Sequence, residues 1–318
     1  MIFPELFDDG SILGNGSGGV SVNPAFLLGL YIRGLASFKY AERRGGPGIE
    51  FARFGRKIGR RLLLKGHPPG LVYLLTPVNI VRYFEFPFVL SCLPERPHRC
   101  LDVGSPRLFS LYMADEYPFA SIFMINPDAK DAAQTATILS KLKPSNVRVE
   151  CRGVECLAGR NEKYDCIWSI SVVEHISGDC DDREAVRLMY NSLNAGGRLI
   201  LTIPVDRVFR DEFRDRDYYG MQADPSRAGR YFFQHIYDKT AIRERLLGPI
   251  GKEPSVIRWF GEISPGRFTD YESRWMRDGL AGTVEDAREI VDHYREFTSW
   301  EEMPGMGVCG LMIEKTSP

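Results

Sequence analysis

The 318-residue sequence has no long apolar run: stretches such as Phe26 to Leu28, Leu62 to Leu64 and Leu71 to Leu75 end after a few residues. A bilayer-spanning helix needs about 20, so none is expected. The N-terminus opens with Pro4, Glu5, Asp8 and Asp9, so no signal peptide is expected either. Cysteine is sparse and odd in number, seven in all, with no CxxC pair and no neighbouring histidine cluster. That pattern argues against a disulfide framework or structural zinc and points to a reducing cytoplasm. Five histidines form no HExxH, there is no GxSxG or P-loop, and the strand-to-helix turn at Gly104 continues Ser-Pro-Arg-Leu where a dinucleotide fold wants GxGxxG. Metal-dependent hydrolysis, phosphoryl transfer and NAD chemistry therefore lack their usual supports.

Net charge is also nearly absent, at −1, but it is unevenly spread. Ten basic residues against Glu42 and Glu50 give residues 33–65 a surplus of eight positive charges. An anionic partner for that stretch is one expectation, and a solvated helix face is the plain alternative.

What is present is the composition of an ordinary globular protein, 44% hydrophobic and 26% charged. Residues 1–20 carry five glycines among Ser and Asn and read as a mobile lead-in. Residues 24–42 and 50–65 read as helices, the second with Phe51, Phe54, Ile58 and Leu62 on one stripe. Residues 76–93 suggest a further helix, kinked near Pro87. A domain boundary is placed near residue 97, between a helical, basic segment (1–97) and an α/β domain (98–318).

Beyond it, apolar strand candidates start at Arg99, Ala120, Asn146, Asp165 and Arg198, spaced widely enough for a crossover each time, with helical patterns at 129–142 and 181–194. Parallel strands and right-handed connections follow, hence a doubly wound, Rossmann-like sheet. Residues 206–236 break the rhythm as an inserted cap. Helix at 239–247, strand at 254–263, mostly helix over 266–300 and an antiparallel last strand at 307–315 complete the pattern.

The segment Leu101-Asp102-Val103-Gly104-Ser105-Pro106-Arg107 ends a buried strand in an acid and a glycine and turns into a helix. Ligands of open parallel sheets sit at that edge, where helix N-termini offer free N–H groups. Ser105 suits an N-cap and Pro106 a first helical position. Together with Tyr164 to Ile176 (YDCIWSISVVEHI) and Leu193 to Pro204 (LNAGGRLILTIP), this turn resembles three ordered motifs of the class I S-adenosylmethionine-dependent methyltransferases, over about 99–205. The resemblance implies S-adenosylmethionine as cofactor, bound by Asp102, Gly104, Ser105, Ser171 and Glu174. On this reading Gly104→Val removes cofactor binding while leaving the fold intact.

The departures are equally specific. Pro106 and Leu108 replace two glycines of the family turn, and Asn126-Pro127-Asp128 stands where an acid usually holds the ribose hydroxyls. Asn126 and Asp128 are both candidates for that role, and Glu155 for the adenine side. Upstream, Arg82 and Tyr83 are candidates for the methionine end of the cofactor. His175, His235 and Asp206 are the candidate general bases.

The resemblance implies methyl transfer to an oxygen, less readily a nitrogen, of a small molecule or saccharide. An RNA methyltransferase gripping phosphate through the basic stretch is a rival, although no RNA-binding module is legible, so nucleic acid is disfavoured. A binding or scaffold protein that kept the fold without turnover is another. Weak contact of residues 50–65 with an anionic membrane would place the protein at the inner face of the membrane. Self-association is left open.

Overall fold

The computed structural model describes residues 23–218 and 224–316; the glycine-rich lead-in lies outside them. Four helices come first: α1 (Pro24–Arg43), α2 (Ile49–Leu64), α3 (Gly70–Leu75) and α4 (Arg82–Cys92). Asn23 caps α1 by accepting the Ala25 N–H at 2.9 Å, and Pro24 occupies the first turn where its missing N–H costs nothing. The helix expected over 76–93 starts only at Arg82. Pro77 keeps Thr76 out of the helical region, so residues 76–81 form a loop. Pro87 is accommodated inside α4.

The alternating part follows the expected order: β1 (Arg99–Val103), α5 (Arg107–Glu116), β2 (Ser121–Asn126), α6 (Ala129–Leu142), β3 (Val147–Cys151), β4 (Tyr164–Ile170), α7 (Asp182–Asn191) and β5 (Leu193–Val205). A hairpin of β6 (Arg210–Arg214) and β7 (Tyr231–Ile236) occupies the inserted region. After it come α8 (Lys239–Ala241), which runs into a π-helical turn to Leu247, then β8 (Val256–Glu262), α9 (Arg267–Asp278), α10 (Asp286–His293), β9 (Tyr294–Phe297) and β10 (Gly307–Glu314). Residues 294–297, expected as helix, are therefore an edge strand.

The eight-stranded sheet runs β3-β2-β1-β4-β5-β10-β8-β9. Strands β1 to β5 are parallel, and β10 is antiparallel to both β5 and β8. The chain order reverses between β1 and β4, which makes their carboxyl ends the switch point of a doubly wound fold. One face of the sheet is covered by α2, α4, α5 and α10 around Phe51, Phe86, Phe109 and Trp168; the other is covered by α7 and the 242–247 turn around Leu199, Leu201, Leu246 and Trp259. The N-terminal helices thus share a core with the sheet.

Helix α2 is seated by close backbone approach. A Cβ on Gly59 would lie 2.6 Å from the Gly70 carbonyl oxygen of α3, a distance only glycine tolerates. Its apolar stripe faces inward, with Phe51 wholly buried and Phe54 and Ile58 nearly so. The lipid reading of residues 50–65 required that stripe at the surface, and it is already spent on the core. Among the described residues no helix is long and apolar enough to cross a membrane. The basic surplus also shrinks in space, because Arg33, Arg44 and Lys57 pair with Glu285, Asp292 and Asp115 from later parts of the chain.

Candidate functional site

At the end of β1, Gly104 adopts φ +66° and donates its N–H to the Ile125 carbonyl at 2.8 Å. Asp102, fully buried, accepts the Ser105 N–H at 2.9 Å on one oxygen and the Ser110 hydroxyl on the other. Burial lifts its carboxyl to about 6, against the pull of those serine hydrogen bonds. The Ser105 hydroxyl in turn accepts the Ile170 N–H at 2.9 Å, tying β1 to β4. Asp102 and Ser105 therefore set the shape of the turn. A Cβ on Gly104 would lie 3.0 Å from Val172 Cγ1. With the left-handed backbone, that contact puts Gly104→Val in conflict with the fold itself, contrary to the expectation that such a change leaves it intact.

At the end of β4, Ser171 is a non-glycine residue at φ +55°. Its N–H donates to the Thr202 carbonyl at 3.0 Å and lies 3.1 Å from the Thr202 hydroxyl oxygen, so β5 holds this conformation in place. The Ser171 hydroxyl donates to Glu85, which α4 delivers fully buried to the sheet edge. Glu85 also accepts from Thr202 Oγ1 at 2.9 Å and from the Arg82 guanidinium. Arg82 thus reaches the site as the partner of Glu85. Tyr83, on the other side of α4, is buried near Arg56 and Asp286, away from Glu85.

The turn after β4 carries Glu174 and His175. Glu174 is fully buried, and among the described residues neither carboxylate oxygen has a hydrogen-bond partner. Burial pushes it up to about 8, with Glu85 adding to the shift. The His175 Nδ1 lies 2.6 Å from the Phe233 carbonyl, which can only accept, so Nδ1 carries the hydrogen. Nε2 lies 3.9 Å from Glu174 Oε1. Burial lowers His175 to about 3, although the Phe233 hydrogen bond works the other way. The imidazole is neutral at any physiological pH.

The other candidates are more heavily engaged. Asn126 donates to Asp131 Oδ2 at 2.7 Å and accepts the Asp128 N–H at 2.9 Å. Asp128 is the N-cap of α6, accepting the Lys130 and Asp131 N–H groups. Asp131 also receives Arg107, whose Nε donates to Thr135 Oγ1 at 3.0 Å. Glu155 is exposed on the turn after β3. In the cap, His235 Nδ1 is 2.7 Å from Asp211 and its Nε2 faces Arg245 at 3.4 Å. Arg245 is anchored on buried Asp182, which also accepts the Tyr237 hydroxyl at 2.8 Å. Asp206 pairs with Arg210 at 2.6 Å.

The structure thus brings Gly104, Ser171, Glu174, His175 and Arg82 to one edge. Sequence reasoning placed Glu85 beside Arg82 and Tyr83 without giving it a role, and gave none to Thr202, Arg107 or Asp131. Glu85 had a signal, an acid three residues after Arg82 in an otherwise apolar helix; Arg107 and Asp131 had none, since only the packing of α5 on α6 joins them. Among the described residues no group of His, Cys, Asp or Glu is placed to hold a metal.

No protein-family model matches the sequence, and no curated protein matches it. Among solved structures, it is similar to an O-methyltransferase from a trans-AT PKS multienzyme of Brevibacillus brevis in complex with S-adenosyl-L-homocysteine, at TM-score 0.48 and 15% identity over 73% of this chain and 72% of that one. It is similar to the (4+2)-cyclase SpnF at TM-score 0.46 and 18% identity, over 73% and 80%. The geranyl diphosphate C-methyltransferase from Streptomyces coelicolor A3(2) follows at TM-score 0.44 and 14% identity, over 73% and 78%.

Proposed function

We propose that the chain binds S-adenosylmethionine across the ends of β1, β2 and β4 and directs its methyl group to a hydroxyl of a small molecule or sugar. The observation that carries this reading is Glu174, a wholly buried carboxyl with two unpartnered oxygens at the switch point of the sheet. Buried charges require a partner, and a ligand carrying a positive sulfur and an ammonium group is the kind of partner this acid lacks. When bound, the cofactor supplies an electrophilic methyl group. Glu85 and Arg82 hold Ser171 and the end of β4 in register, and Gly104 keeps the opposing turn narrow. His175, with Nδ1 fixed by Phe233, presents Nε2 as the proton-accepting atom. Held geometry rather than strong basicity is the main contribution expected of such a site.

One observation favours a second reading, a protein of this fold that binds without turnover: the position of the ribose-holding acid is filled by the Asn126-Asp131-Arg107 network, whose polar atoms serve each other. Mass spectrometry of the purified protein for retained cofactor or its demethylated product, followed by calorimetry with both, separates the two readings from no binding at all. Binding with turnover of a supplied hydroxyl acceptor supports methyl transfer. Binding without it supports the second reading, and no binding of either compound overturns both.

The free state of all seven cysteines suits a reducing compartment, and we place the protein in the cytoplasm on that ground.

A further inference from the structure

A second set of buried polar atoms lies away from the sheet edge, where α1, α2, the 76–81 loop and the start of α10 meet. Arg56 of α2 is 7% exposed. Its Nη2 donates to the Gly34 carbonyl at 3.0 Å, and its Cζ lies 4.8 Å from the centre of the Phe38 ring. Its Nε and Nη1 are buried with no hydrogen-bond partner. On the neighbouring 76–81 loop, Thr76 Oγ1 and Asn79 Oδ1 are likewise buried without a hydrogen-bond partner among the described residues. The packing joins these residues: a Cβ on Gly34 would lie 3.1 Å from the Leu75 carbonyl, 3.3 Å from the Val284 carbonyl and 3.8 Å from Arg56 Nη2. Tyr83 sits between Arg56 and Asp286, close enough to feel both.

The charges do not cancel. Burial holds the Asp286 carboxyl well above the usual range, and its Oδ2 accepts the Tyr271 hydroxyl at 2.8 Å. Arginine cannot shed its proton in a protein. A guanidinium this deeply covered, with two N–H groups unmet, calls for an anion.

We propose that Arg56 anchors a second binding site that takes a small oxyanion, a carboxylate or phosphate group, through Nε and Nη1, with the Thr76 hydroxyl as a neighbouring donor. The site is independent of the sheet edge, so it stands whether or not the chain transfers methyl groups.

Thermal unfolding of the full chain tests this, with sodium phosphate, phenyl phosphate or sodium acetate compared with sodium chloride at matched ionic strength. A saturable rise in Tm with at least one of the three is expected, with affinity falling roughly tenfold or more in Arg56→Met and unchanged in Arg53→Gln, a surface arginine of the same helix. Preference for inorganic phosphate identifies a free ion; preference for phenyl phosphate or acetate identifies the acid group of an organic ligand. The proposal is overturned if wild type responds to none of them beyond chloride, or if the response survives Arg56→Met. Where Arg56→Met folds poorly, Arg56→Lys, which keeps the charge without the planar fork, takes its place: the response should weaken there too, and an unchanged response overturns the site.

Discussion

Glu174 and Arg56 are both buried with polar atoms that have no hydrogen-bond partner among the described residues, one at the carboxyl edge of the sheet and the other in the helical layer that covers it. They resolve that burial differently. The carboxyl rises to about 8 and rests neutral at pH 7, so its region is stable while empty and acquires charge only when a cation arrives. The guanidinium has no such escape, and only an external anion can neutralise it. The sheet edge is thereby suited to an exchangeable ligand and the helical layer to an occupant that stabilises.

The harshest way to break this comparison is to remove the floor of the helical layer. Phe51 packs against Phe86, Phe109 and Tyr112 at ring separations of 5.1, 6.0 and 4.4 Å. Phe51→Ala should cost about 3–5 kcal/mol in urea unfolding. A loss under about 1 kcal/mol would mean that α2 is not seated as described and would return its apolar stripe to the surface.

At the sheet edge, Glu174→Gln keeps the shape and removes the charge. Affinity for S-adenosylmethionine in calorimetry should fall roughly tenfold to a hundredfold, as expected for a charge-assisted contact, while unfolding stability does not drop. The same residue predicts a pH dependence. Its folded value of about 8 lies above the ordinary 4.5, so its contribution to stability is full below 4.5 and declines as pH rises toward 8. His175, lowered from 6.5 to about 3, acts oppositely, adding stability as pH rises from 3 to 6.5. Comparing wild type with Glu174→Gln isolates the acid: the variant should gain on wild type between pH 6 and 8. Cofactor binding at pH 7 should release up to one proton in wild type and none from this site in the variant, read as a buffer-dependent heat. Equal heats in all buffers would detach Glu174 from the ligand.

A smaller effect is expected at Gly104. Alanine there must adopt φ +66° and place its Cβ 3.0 Å from Val172, which should cost about 1–2 kcal/mol of stability. A change within experimental error would show that the turn relaxes freely. The smallest effect sharpens the helical side: Lys57 pairs with Asp115 at 2.7 Å on the surface, and Lys57→Gln should shift stability by no more than about 0.5 kcal/mol. Anionic vesicles should sediment neither protein.

The sequence by itself determined the order and class of the elements. Residues 129–142 form α6 with the expected ends, and the strands beginning near Arg99, Ala120 and Asn146 begin within a residue of those points. Alternation, spacing and caps such as Asn23 and Asp128 are local properties, and the energies that enforce them act within a few residues along the chain. The turn after Asp102 was legible for the same reason, as was the end of β4, but Pro106 rather than Ser105 stands at the N-cap of α5, which begins at Arg107, and the Ser105 hydroxyl is engaged by Ile170. The roles of individual polar residues were not. Asn126 and Asp128 were free to be ligands until Asp131 and the α6 backbone claimed them. Residues 294–297 were helix until β8 offered an edge to pair with. Arg56 was one basic residue among ten until α1 and α10 closed over it. Whether a charge is solvated or stranded depends on what covers it, and that cover arrives from positions tens to hundreds of residues away, which only the tertiary structure brings together.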